Sequence, residues 1–170
     1  MALALALTLT GCHDSGRTAG TTTTTVAADP AKVAHLEAGI GAMPVLPRQQ
    51  QSCLVQRLAA GLSDPGVSTL STPSPPLAKL DATDAAVFDR VVKACVVKAT
   101  LTASIAGGLH ASKIATDGAD CIAGKVADRH RVVELYRLVL GADASPSGPL
   151  SDEMYRAAVS CKVILPGSGL

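Results

Sequence analysis

The chain has 170 residues, 48% of them hydrophobic, with 15 basic and 14 acidic side chains and a formal net charge of +1. That balance, with two Tyr, one Phe and no Trp to stack on bases, excludes a dedicated nucleic-acid binder, and the apolar fraction excludes a chain disordered throughout. The length allows one domain or two small ones, and the five cysteines are an odd number that needs an explanation.

Residues 1–9 read MALALALTL, an uncharged apolar stretch shorter than the ~20 residues that cross a bilayer but within the length of a signal-peptide core. Leu9-Thr10-Gly11-Cys12 follows directly: an aliphatic residue, two small ones, then a cysteine. Small residues suit a peptide that must lie extended in a protease groove while its thiol reaches a lipid donor. The motif resembles a bacterial lipobox. The resemblance implies that residues 1–11 are a signal peptide cut before Cys12, and that the Cys12 thiol carries diacylglycerol. Signal peptides open with Lys or Arg, and no basic residue precedes Arg17, so the leader reads as truncated at its start. Residues 12–30, with five consecutive Thr from Thr21, read as a lipidated cysteine on a disordered, solvated tether. The expected location is the extracytoplasmic face of the cell membrane.

Beyond the tether the apolar period is helical. Val33, Leu36 and Ile40 predict a first helix, weakened by Gly39 and Gly41. Pro47 stands where a first-turn residue would, and Leu54, Leu58 and Leu62 recur at four-residue steps, with breaks expected at Gly61 and Gly66. Asp84 is the expected cap of a helix carrying Val87, Val91 and Cys95, although the β-branched cluster from Val91 to Val97 competes as a strand. Leu101, Ile105 and Leu109 predict a connecting helix. Thr116 or Asp117 caps the next, which carries Ala119, Ile122 and Val126. Val132, Leu135, Tyr136, Val139 and Leu140 form a broad stripe that ends at Gly141 and the Ser145–Pro149 run. Ser151 precedes the last helix, with Met154, Ala158, Cys161 and Leu165 on one face, and residues 166–170 form a flexible tail. The fold class is all-α, one helical domain over residues 31–165.

With Cys12 assigned to lipid, Cys53, Cys95, Cys121 and Cys161 form an even set in an exported chain, which implies two disulfides. Cys53 to Cys95 is 42 positions and Cys121 to Cys161 is 40. Aliphatic, basic and Ala positions coincide after the first cysteine of each pair (Leu54, Arg57 and Ala59; Ile122, Lys125 and Ala127). Arg90 and Arg156 each stand five positions before the second. We read two tandem repeats, near residues 31–98 and 99–165, each stapled by its own bridge. The crossed pairing and the outer-with-inner pairing remain open at this point. No Cys-x-x-Cys knuckle is present to organise a zinc site, and no cofactor motif appears. In this layout the mature chain resembles a group of small secreted or lipid-anchored actinobacterial helical proteins with widely spaced cysteines at the edges of repeats. That resemblance implies envelope location and helical fold, and carries no active-site residue.

No catalytic constellation stands in a recognisable frame. His13 lies in the tether, His35 and Glu37 point to different helix faces, His110 follows Gly107-Gly108 without a nucleophile, and His130 in Asp128-Arg-His-Arg131 reads as a solvated turn. Asp81 with Asp84, Asp117 with Asp120, and Asp152 with Glu153 read as helix-start acids favoured by the macrodipole. Ser104 lacks a nucleophile elbow. Arg90 and Arg156, the polar positions marked by the repeat, are candidate partner contacts. The leading expectation is a non-catalytic interaction module, tethered to the membrane through Cys12 and binding an envelope protein. The alternative is a carrier of a small hydrophobic ligand, and the least favoured is an envelope hydrolase using His110 or His130 with a neighbouring Asp.

Overall fold

The computed structural model describes residues 28–42, 45–72, 75–142 and 149–164. Among these are eight α-helices and no strand. The expected signal peptide, the lipobox and most of the tether lie outside the described residues, as does the tail.

Asp29 accepts a hydrogen bond from the Ala31 amide and Pro30 occupies the first turn of α1 (Pro30–Ala38), so the end of the expected tether is already a helix start. Gly39 stops α1, and a side chain there would overlap the backbone of Leu70 and Ser71. Pro47 stands just outside α2 (Arg48–Gly61), its carbonyl accepting from the Gln50 and Gln51 amides. Gly66, expected as a break, is buried inside α3 (Asp64–Leu70), where a Cβ would collide with the Asp84 carboxylate.

That carboxylate corrects a second expectation. The cap of α4 (Ala82–Cys95) is Asp81, which accepts from the Asp84 amide at 2.8 Å. Asp84 itself is 3% exposed and accepts from both the amide and the hydroxyl of Ser63, at 2.9 and 2.5 Å. Ser63 in turn caps α3 through the Gly66 amide, so one buried carboxylate ties the starts of α3 and α4 together. The competing strand is absent: Val91 and Val92 are helical and buried in α4. Only Val96 and Val97 are extended, at an 87° bend into α5 (Lys98–Ala111). The start of α5 has no side-chain cap of its own. Gln50 of α2 supplies partners there, accepting from the Val97 amide at 3.1 Å and donating to Thr100 at 3.0 Å.

Neither Thr116 nor Asp117 caps α6 (Thr116–Arg129); Ala115 precedes it with no side-chain cap. The turn is fixed instead by the end of α5, where Lys113 adopts a φ of 65° and the Ile114 amide reaches back to the Leu109 carbonyl, a Schellman motif. The same device ends α8 (Pro149–Cys161): Lys162 has a φ of 57° and the Val163 amide bonds the Ala158 carbonyl. Ile114 and Val163 converge on Gly118, where a Cβ would stand 2.9 Å from a Val163 methyl. Gly141 lies within α7 (Val132–Ala142), and α8 starts at Pro149 rather than after Ser151.

The bridges join Cys53 to Cys95 and Cys121 to Cys161, with Cα separations of 5.6 and 6.1 Å, which rules out the crossed pairings. The first staples α2 to α4 and the second α6 to α8. The two halves share an order: an opening helix, a cysteine helix, a second helix and a closing cysteine helix. Aliphatic side chains from both halves form one contiguous core. The halves meet where Phe88 of α4 stacks on Tyr136 of α7, ring centroids 6.1 Å apart. Burial pushes the Tyr136 hydroxyl well above its ordinary pKa. Among the described residues no single helix is long and apolar enough to cross a membrane.

Removing the buried Asp84 carboxylate leaves the Ser63 amide and hydroxyl without their partner and the α3 and α4 starts without their link. Asp84→Ala should cost about 2–3 kcal/mol, against about 1 kcal/mol for the exposed cap variant Asp81→Ala. Urea unfolding of both under non-reducing conditions checks this; equal losses would deny Asp84 its cross-helix role.

Candidate functional site

The helix α6 ends at His130, whose backbone is extended, and α7 begins two residues later. So short a connection turns the His130 side chain inward, toward α8, and corrects the solvated-turn expectation: that side chain is 21% exposed. Its Nε2 is buried without a hydrogen-bond partner and stands 3.7 Å from Glu153 Oε2. Glu153, 16% exposed, also pairs with Arg129 at 3.3 Å and Arg156 at 3.0 Å. One carboxylate of α8 thus faces three basic side chains, two from the end of α6. Glu134 closes the same corner by accepting from the Arg131 amide at 2.8 Å, half of a capping box.

Beside this cluster lies a cleft of about 330 Å³ lined by His130, Glu134, Arg137, Leu138 and Pro149. Arg137 donates to Asp89 of α4 at 2.6 Å, and its guanidinium sits 5.7 Å from the centre of the Phe88 ring. Its Nε is buried without a partner. The cleft offers basic nitrogens and an apolar floor, and its lining contains no hydroxyl or thiol nucleophile. The carboxylate within ion-pair distance of His130 is a Glu, where the hydrolase reading called for an Asp.

The other sequence candidates are dispersed. His35 lines a depression of about 390 Å³ between α1 and α3 with Lys32, Asp64 and Ser68. There Lys32 donates to the Leu62 carbonyl and pairs with Asp64 at 2.9 Å, and its hydrogen bond and charge hold the Asp64 carboxyl below the usual range. His110 is exposed at the end of α5. Ser104 borders an apolar depression of about 360 Å³ with Ile105, Leu109, Val139, Leu150 and Met154. Arg90 is exposed on α4 beside Asp89 and Lys93, whereas Arg156 belongs to the Glu153 cluster on α8. No hydrogen bond, ion pair or depression joins these two arginines among the described residues. No three His, Cys, Asp or Glu side chains among the described residues group to hold a metal ion. Cys12 and His13 lie outside the described residues.

The sequence reading took Glu153 only as a helix-start acid beside Asp152, and missed Arg137. The spacing of Glu153 and Arg156 was available as an i,i+3 pair, and Arg137 interrupts an otherwise apolar run from Leu135 to Val139.

Comparison with known protein families, characterised proteins and solved structures finds no match to this chain. The arrangement must be read from its own geometry. Its cluster fastens the start of α8 to the end of α6, leaving the outer surface of α8 in solvent. Glu153→Ala should therefore destabilise by about 1 kcal/mol, and Arg156→Ala, which removes one exposed partner, by less than about 0.5 kcal/mol. Chemical denaturation of the two variants checks the order, and a reversed order would displace Glu153 as the hub.

Proposed function

We propose that the protein is an envelope-anchored lipoprotein whose helical domain is a non-catalytic interaction module. One observation carries the reading. Both bridges are made by Cys53, Cys95, Cys121 and Cys161, so the fifth cysteine of the sequence, Cys12, is used by neither, and it is the one that follows Leu9-Thr10-Gly11. A thiol left out of the disulfide framework directly after an apolar stretch fits a lipid site. The surface arrangement is compatible with binding: the described ionic groups mostly fasten helices to each other and converge on no reacting centre. The common helix order of the two halves supports reading them as tandem copies.

Intact-mass analysis of protein from its native membrane tests the anchor. The expected result is cleavage before Cys12 with a diacylglyceryl mass on that residue, abolished in Cys12→Ser. An unmodified thiol at Cys12 would overturn the reading.

The apolar depression bordered by Ile105, Leu109, Val139, Leu150 and Met154 favours a second reading, a carrier of a small hydrophobic ligand. Organic extraction of purified protein would then release a stoichiometric apolar compound, lost on Leu109→Asp. Repeated extraction without one removes this reading.

A further inference from the structure

Four large apolar side chains are exposed among the described residues: Val97, Tyr155, Val159 and Ile164. Three of them lie on the second half of α8 or just after its end. Tyr155, 49% exposed, and Val159, 63% exposed, are one turn apart, and they leave the inward face to the buried Ala157 and Ala158. The left-handed residue Lys162 then turns the chain out of the helix. Val163 packs over Gly118 while Ile164 emerges 81% exposed.

Nothing in the core requires these three side chains, and a concentration of this kind on an otherwise polar surface marks a contact surface. Its exposed charges are mainly basic: Arg156 (66% exposed) and Lys162 flank the apolar residues, with one exposed acid, Asp152, a turn before Tyr155 and Arg156 on the same side of the helix. Glu153 is turned inward into its ion pairs.

We propose that this face of α8 docks on the anionic phospholipid surface of the bilayer that holds Cys12; the proposal rests on the lipoprotein reading above. Tyr places a ring at the headgroup level with its hydroxyl in water, Val and Ile enter the acyl boundary, and Arg and Lys meet phosphate groups. A patch of three side chains would hold a freely diffusing protein weakly. Cys12 and Asp29, however, are 17 positions apart, a span of at most ~60 Å when extended. A domain on such a tether meets the surface at an effective concentration of the order of millimolar. A modest attraction then suffices to fix which face lies down and which remains open to the envelope.

The test supplies the tether chemically, so that it stands whether or not the chain is acylated in cells. The full chain is coupled through Cys12 to maleimide-bearing lipid, at low surface density, in vesicles of phosphatidylcholine alone or mixed with phosphatidylglycerol. Hydroxyl-radical footprinting then reads the exposed side chains. On the mixed vesicles, oxidation of Tyr155 and Ile164 should fall about threefold or more while Val97 stays constant. Arg156→Glu combined with Lys162→Glu should abolish the protection, as should Tyr155→Ser with Val159→Ser and Ile164→Ser, with the helical circular-dichroism signal retained. Equal oxidation on both vesicles, or protection shared by Val97, would overturn the proposal. So would protection that appears without vesicles as protein concentration rises, which would assign the face to a second copy.

Discussion

Everything in this fold hangs on two covalent constraints placed at equivalent points. Cys95 is the last residue of α4 and Cys161 the last of α8, and each is bonded back to the second helix of its half, α2 or α6. Closing loops of some 40 residues, each bridge lowers the entropy of the unfolded chain by an amount equivalent to ~4 kcal/mol in the chain-entropy model. That is comparable to much of the net stability of a small domain. The bridges allow a core built from Leu, Val, Ile and Ala, with the Phe88 and Tyr136 pair kept for the junction between halves. A core of aliphatic side chains without large rings makes many small contacts and few orienting ones. Covalent pairing supplies the orientation.

A staple at one end of a helix leaves the other end free to swing, and both closing helices solve this with a carboxylate. Asp84, near the start of α4, accepts from the Ser63 cap of α3. Glu153, near the start of α8, gathers Arg129, His130 and Arg156. The chemistry differs, a buried acceptor of neutral donors in one half and a partly covered ion cluster in the other. So does the register: Asp84 stands 11 positions before its cysteine and Glu153 stands eight. Two helices of the same role are thus pinned at both ends by unlike means. The likeness between the halves is clearest in helix order and bridge placement, and weakest in polar detail.

That distinction accounts for what was legible in the sequence. Helix identity came through because Leu54, Leu58, Val87, Val91, Ile122 and Val126 repeat at a spacing that burial imposes along each element. Bridge pairing came through because spacing around the cysteines coincided. Caps and breaks came through poorly, because their identity is decided between elements. Gly66 reads as a stop, yet it is the residue that lets α3 approach Asp84. Asp84 reads as a cap, yet the acid three positions earlier performs that task. Gln50, which has no signature at all, partners the start of α5 from another helix. The candidate site was hidden for the same reason. His130 looked solvated because its neighbours in sequence are charged, whereas its neighbours in space include α8.

The polar groups of this domain are therefore largely committed to holding helices in place, and this bears on how function can reside in it. A catalytic centre requires side chains whose hydrogen-bonding capacity is kept for substrate. Here Asp84, Glu153 and Lys32 spend theirs on another helix, as does one nitrogen of Arg137, whereas His130 Nε2 and Arg137 Nε are buried without a hydrogen-bond partner. Among the described residues the outer side of α8 is also uncommitted, on a backbone locked by the Cys161 bridge and the Glu153 cluster. A face so fixed binds without the entropic cost of ordering a loop. Rigidity at that position is of little use to an isolated domain, but for a domain held near a surface by a long tether it converts a weak, short-range contact into a defined orientation. The Cys121–Cys161 bridge, one of the two that stand in for a large aromatic core, thus also preorganises the face of α8 that the core does not use.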